Sequence, residues 1–253
     1  MNAVRCRIEN RVAEIELSRY DKKNALTAEM YGLLSDALAA AAAERGVRAI
    51  LVHGRADCFT AGNDINDFLV RRTDETSPAL RFMNSLAAAE KPVVAAVGGP
   101  AVGIGTTMLL HCDLVYAAPG TRFQMPFVPL GIVPEFGSTL LLPQIAGYQR
   151  AAELLLTGKP FDAQKALAAG IVTEIVPEEG LIARAREAAL ELASLPPESV
   201  RLTKQLLRSA GREPLAARIA EEASLLRERL GSPEAREAMN AFLEKRKPDF
   251  SRF

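Results

Sequence analysis

Tryptophan is absent from this chain, histidine occurs twice and cysteine three times in 253 residues. Cys6, Cys58 and Cys112 are far apart and odd in number, which argues against a disulfide framework and for reduced thiols. With so few histidines and no Cys-x-x-Cys pair, no metal site is expected. An excess of charge of either sign is also missing, since 31 basic residues balance 31 acidic ones. That removes the basic footprint of nucleic-acid binding and any reason to expect an anionic membrane surface as partner. No apolar run reaches the length needed to span a bilayer. The opening MNAVRCRIENRVAEIEL carries charges throughout, so no secretory signal is expected. The final DFSRF matches a peroxisomal address only faintly, and the expected location is the cytoplasm.

Hydrophobic residues make up 49% of the chain, enough for one large core. VRCRIENRVAEIELSR holds two alternating runs around Glu9-Asn10-Arg11 and predicts a hairpin. Thr27 is placed to cap an Ala/Leu-rich helix that ends near Gly46. VRAILVHG, VVAAVGG, DLVYAA, TRFQM and IVTEIV read as strands, with helices over 78–89 and in AVGIGTTMLLHC. After about residue 178 only helices are predicted. Strands alternating with helices predict an α/β fold with parallel strands under helices. The expected organisation is a core over residues 1–190 and a helical region over 191–253.

Three stretches could carry chemistry. In CFTAGNDINDF, Gly62 permits a backbone conformation closed to other residues, and an N–H leaving such a turn can donate to an oxygen. The same pattern is equally a plain strand-to-helix turn. In GGPAVGIGTTM, four glycines surround a strand-to-helix junction whose N–H groups are unpaired. It is a poor dinucleotide fingerprint, because Met108 stands where the third glycine belongs. The third is MPFVPLGIVPEFGSTLLLPQ, whose one charge is Glu135; the nearest others are Arg122 and Arg150. A lone loop glutamate is more often structural than catalytic. Desolvation without a cationic partner, however, raises a carboxyl pKa toward the range useful for proton transfer. Two backbone donors and one desolvated acid are what enolate chemistry requires.

Six blocks in order, FTAGNDI, KPVVAAVGGPAVGIG, CDLVYAAPGTRFQMPF, LGIVPEFGSTLLLPQIAG, LTGKPFDAQKALAAGIVTEIVP and LASLPPESVRLTKQLLR, resemble the enoyl-CoA hydratase/isomerase (crotonase) superfamily over nearly the whole chain. The resemblance implies a spiral of ββα turns with a helical C-terminal oligomerisation region, assembled as a homotrimer or dimer of trimers. It implies an acyl-CoA thioester as substrate, with no cofactor beyond the coenzyme A that the substrate carries. It places the oxyanion hole on the backbone N–H groups of Asn63 and Ile104. The two glutamates of the hydratases fall at Thr107 and Phe127 here, so both acids are absent. Glu135 instead matches the single acid of the Δ3,Δ2-enoyl-CoA isomerase branch. The implied reaction moves a double bond from 3-enoyl-CoA to 2-enoyl-CoA, with Glu135 as the only proton carrier. Hydration or another enolate reaction on an acyl-CoA is the alternative, and a non-catalytic acyl-CoA-binding homologue a second.

Coenzyme A contacts are implied at Lys22, Lys23 and Asn24 and at the backbone of Ala61 and Gly62, although the two lysines equally suit a solvated turn. Lys204 and Lys245 are further candidates for the phosphates. Phe68, Thr107, Phe127 and Phe136 are expected to line the acyl pocket. His53, His111 and Cys112 lie in apolar contexts and are expected in the core; Asp64 is expected to shape its turn.

Overall fold

A computed structural model describes residues 3–64, 77–209 and 212–253. β1 (Val4–Glu9) and β2 (Val12–Leu17) form the expected hairpin. Asn10 and Arg11 between them both have positive φ, 48° and 67°, as a tight two-residue turn requires. Thr27 then caps α1 (Ala28–Ala43) by accepting from the N–H of Met30.

The helical and sheet turns that follow build two sheets. β3 (Ala49–His53), α2 (Pro78–Ala87), β4 (Val93–Val97), β5 (Pro100–Val102) and the one-turn α3 (Ile104–Thr107) come first. β6 (Leu114–Ala117), β7 (Arg122–Gln124), α4 (Ser138–Ala146) and α5 (Tyr148–Thr157) follow, then β8 (Phe161–Asp162), α6 (Ala163–Ala168) and β9 (Glu174–Ile175). The large sheet has the order β1-β2-β3-β4-β6-β9, parallel beyond the first hairpin, and the small one the order β5-β7-β8. Consecutive strand pairs β4-β5 and β6-β7 therefore give one strand to each sheet before the chain turns helical, a repeating ββα pattern. Two strands escaped the sequence reading, β5 and β8, because three and two residues are too short to show a period.

β3 and β4 are buried at every position, as central parallel strands covered on both faces must be. One face meets the main core, which takes in α1, α2 and the site elements. The other is covered by α7 (Leu181–Ser194) through Leu181, Ala185, Ala188, Ala189 and Ala193. Small alanines let this helix sit close on the sheet. Position 190, the expected boundary, lies within α7, which runs on to Ser194 and is followed by α8 (Pro197–Ser209). α9 (Arg212–Leu230) and α10 (Pro233–Leu243) complete the chain's helical end.

Asn24 ties the hairpin to the loop after β3. Its buried Nδ2 donates to the carbonyls of Leu17, Cys58 and Phe59, at 3.2, 3.3 and 2.8 Å. Its own backbone is left-handed, φ 52°, a conformation asparagine tolerates better than most residues. Asn24→Ala should therefore cost about 2–4 kcal/mol through three stranded carbonyls and added backbone strain, read as a lower urea midpoint at unchanged slope.

Candidate active site

Two loops lie side by side at the ends of the strands. Thr60 forms a parallel bridge to Ala101, and Asn63 one to Leu26. Gly62 has φ +88°, and a Cβ there would stand 2.6 Å from the carbonyl oxygen of Val102, so only glycine permits this approach. Asn63 and Ile104 follow the two glycines Gly62 and Gly103. Among the described residues, no hydrogen bond uses the backbone N–H of either. Ile104 opens α3, where a first-turn N–H has no partner within the helix. The loop carrying Asn63 is fixed from two sides: Arg19 pairs with Asp64 at 2.7 Å, and the Tyr31 hydroxyl donates to Asn63 Oδ1. Asp64 is thus engaged in holding its turn.

Glu135 lies inward, 4% exposed, and among the described residues nothing hydrogen-bonds its Oε1. It precedes two left-handed residues, Phe136 and Gly137, with φ 67° and 69°. A phenylalanine in that region is strained by about 1–2 kcal/mol. His111 supports it: Nε2 donates to the Phe136 carbonyl at 2.7 Å, and the two rings stack with centroids 3.9 Å apart. Burial drives His111 down to about 3, so it is a neutral donor packed in the core, as its sequence context suggested. A row of rings, Tyr31, Phe82, Phe136 and His111, runs from the Asn63 loop to the Glu135 turn. Tyr31 connects the two, because it bonds Asn63 and feels the charge of Glu135.

The electrostatics single out this corner. Four glutamates are buried among the described residues: Glu14, Glu135, Glu222 and Glu237. Burial works to raise Glu14, but hydrogen bonds from Arg186 and Arg7 and the charge of His53 bring it down to about 2. Glu237 is likewise held at about 2, first by Arg246 and then by the Asp249 N–H and Arg252. Among the described residues, no such cation stands beside Glu135. Burial first, and then the charge of Glu222, lift it to about 7. A carboxyl near neutrality can both take and give a proton.

The remaining expected site residues separate into groups. Thr107 is fully buried on α3, and no described residue bonds its Oγ1. Phe127 is buried at the start of a short 3₁₀ turn, Val128–Leu130. Phe136 belongs to the ring row. Phe68 lies outside the described residues. Lys22 and Lys23 are exposed, and the Ala61 and Gly62 N–H groups are spent on Lys23 O and Thr60 Oγ1. Two expectations are corrected. The Asn24 side chain is buried in the loop tie described above, so it is not open to a ligand. Lys204 is buried too, its Nζ held at 2.7 Å by both Asp113 and the Lys91 carbonyl, where a phosphate would find no free cation. Lys245 is exposed at the end of α10. A cavity of about 350 Å³ between α2, α4 and α8 is lined by His111, Leu141 and Lys204 among others, but by none of Glu135, Asn63 or Ile104. Tyr31 and Glu222 were not legible as site residues, since each reads as one more position on a helix.

Residues 7–252 match a family model described as Enoyl-CoA hydratase/isomerase. A protein of Escherichia coli K12 called 1,2-epoxyphenylacetyl-CoA isomerase is 35% identical over 99% of both chains. The rat protein called enoyl-CoA delta isomerase 2 is 37% identical over 95% of this chain and 63% of its own length. An E. coli K12 protein called 2,3-dehydroadipyl-CoA hydratase is 33% identical over 96% of both. Among solved structures, an enoyl-CoA hydratase/isomerase of Pseudoalteromonas atlantica T6c superposes with a TM-score of 0.95 at 40% identity, over 99% of this chain and 100% of that one.

Ionising Glu135 opposes folding, and the sign of the pH effect follows. A carboxyl raised from 4.5 to about 7 favours the folded state fully below pH 4.5 and loses that advantage as pH climbs through 7. The cost above pH 7 is roughly 3 kcal/mol. Glu135→Gln should therefore raise the melting temperature clearly at pH 8 and little at pH 4, measured by calorimetry across that range.

Proposed function

Since the chain belongs to the enoyl-CoA hydratase/isomerase family and has its crotonase fold, we propose that it shifts the double bond of a 3-enoyl-CoA to give the 2-enoyl-CoA. The family acts on acyl-CoA thioesters. The observation that carries the finer reading is the buried carboxyl of Glu135, whose Oε1 no described residue bonds, with no acid at Thr107 or Phe127.

In this reading the thioester oxygen accepts from the N–H groups of Asn63 and Ile104. Glu135 takes a proton from C2, and the electrons of that C–H bond move into the adjacent C1 carbonyl to give a dienolate conjugated with the C3–C4 double bond. The two N–H donors stabilise the charge that develops on oxygen. Glu135, now a neutral acid, returns its proton to C4, and the conjugated thioester results. The cycle consumes no water and ends with Glu135 ionised again. Exposed Lys22 and Lys23 are suited to meet the coenzyme A phosphates, and the Ala61 carbonyl, which accepts no hydrogen bond from a described residue, to meet the adenine. Leu206 and Leu207, 73% and 81% exposed on α8, favour assembly through the helical end, as a trimer or dimer of trimers.

Hydration is the rival, and the match to a named hydratase favours it. The two are separated by substrate. Purified protein should convert 3-enoyl-CoA with rising absorbance of the conjugated thioester, and Glu135→Gln should lower kcat by roughly 10²–10⁴-fold while still binding acyl-CoA. Rapid formation of 3-hydroxyacyl-CoA from 2-enoyl-CoA by the wild type would instead decide for hydration.

A further inference from the structure

Glu222, on α9, is 3% exposed and stands far along the chain from the site. Its Oε2 accepts from the Gly137 N–H at 2.5 Å, and its Oε1 from the Thr139 N–H at 3.0 Å and the Thr139 hydroxyl at 2.6 Å. Gly137 and Thr139 belong to the first turn of α4, whose N–H groups need acceptors. A local cap is ruled out because Gly137 is left-handed and a Cβ there would lie 2.4 Å from Leu215 Cδ1. The acceptor comes instead from a helix of the C-terminal region. The turn it grips is the one that aims Glu135, between the carboxyl itself and the start of α4.

We propose that Glu222 is the positioning residue for Glu135, so that the seating of α9 on the 136–139 turn sets whether the site can work. This rests on the reading of Glu135 as the proton carrier. Two effects combine. The hydrogen bonds fix a turn that is strained at Phe136, and the nearby carboxylate discourages Glu135 from ionising. Among the described residues, the groups facing this pair are Tyr31 from α1, neutral His111 beneath Phe136, and Arg218 from α9. Arg218 donates to Thr139 Oγ1 at 3.1 Å and pairs with Glu221 at 3.0 Å, so its main contacts flank Glu222.

Glu222→Gln is the direct test, since an amide can accept from one backbone N–H but sets its own NH₂ against the other. Relative to wild type, kcat should fall roughly tenfold to a hundredfold with KM kept within about twofold. The titration midpoint of Glu135, read as the infrared carbonyl band that Glu135→Gln abolishes, should move down by roughly half a unit to one unit. A folded Glu222→Gln with either kcat or the midpoint unchanged overturns the proposal and leaves Glu222 a helix cap only. Should Glu222→Gln fail to fold, Glu222→Asp decides: reduced kcat with the midpoint still raised supports the proposal, and unchanged kcat overturns it. The infrared midpoint needs no turnover. A wild type inactive on 3-enoyl-CoA would therefore sink the isomerase reading, whereas a midpoint that stays put on Glu222→Gln would sink this one.

Discussion

A carboxylate sealed from water, with no cation beside it among the described residues, is the constraint around which this molecule is arranged. Burial alone does not create it, as Glu14 shows: that side chain is equally buried, yet Arg7, Arg186 and His53 surround it and it stays ionised at about 2. The same fold thus treats two buried glutamates in opposite ways. One is neutralised by three partners and ties β2 to β3 and α7. The other is left alone, and its second-strongest influence is a further acid. With arginines supplied at Glu14 and none at Glu135 among the described residues, the group there is poised between two protonation states.

The surrounding architecture offsets the cost of that choice locally. Phe136 adopts a left-handed backbone that phenylalanine avoids, and His111 holds it from one side by a hydrogen bond and a stacked ring. From the other side Glu222 holds Gly137 and Thr139. The loops that carry Asn63 and Ile104 come from elsewhere in the spiral, and they approach too closely for any side chain at Gly62. Tyr31 spans the gap. The candidate site therefore draws on strand ends, a strained turn and two helices that are distant in sequence, an arrangement in which a rigid scaffold carries the loops.

Much of this was legible in the residues. The hairpin, the Thr27 cap and the buried strands follow from alternation, capping chemistry and apolar runs that local physics controls. The charge desert around Glu135 along the chain has a counterpart in space, where no described cation stands beside it. What the chain concealed depends on long-range contact. Asn24 read as a ligand-side residue in a polar loop, but three carbonyls 7 to 35 positions away claim it. Lys204 was a candidate phosphate contact, but Asp113, 91 positions earlier, holds its ammonium. Tyr31 and Glu222 gave no signal, since the partners that define them, Asn63 and the 137–139 turn, lie 32 and 83 to 85 residues away. β5 and β8 were hidden for a different reason, being too short to carry a period.

The central claim is that one sheltered acid moves one proton within the pocket. Turnover of a 3-enoyl-CoA in deuterium oxide, with the first product molecules analysed by mass and proton resonance, tests it most directly. The account predicts that a measurable share of the product keeps protium at C4, carried over from C2 by Glu135. Complete deuteration at C4 in the first turnovers would mean that solvent delivers the proton, and the sheltered single-acid mechanism would be contradicted.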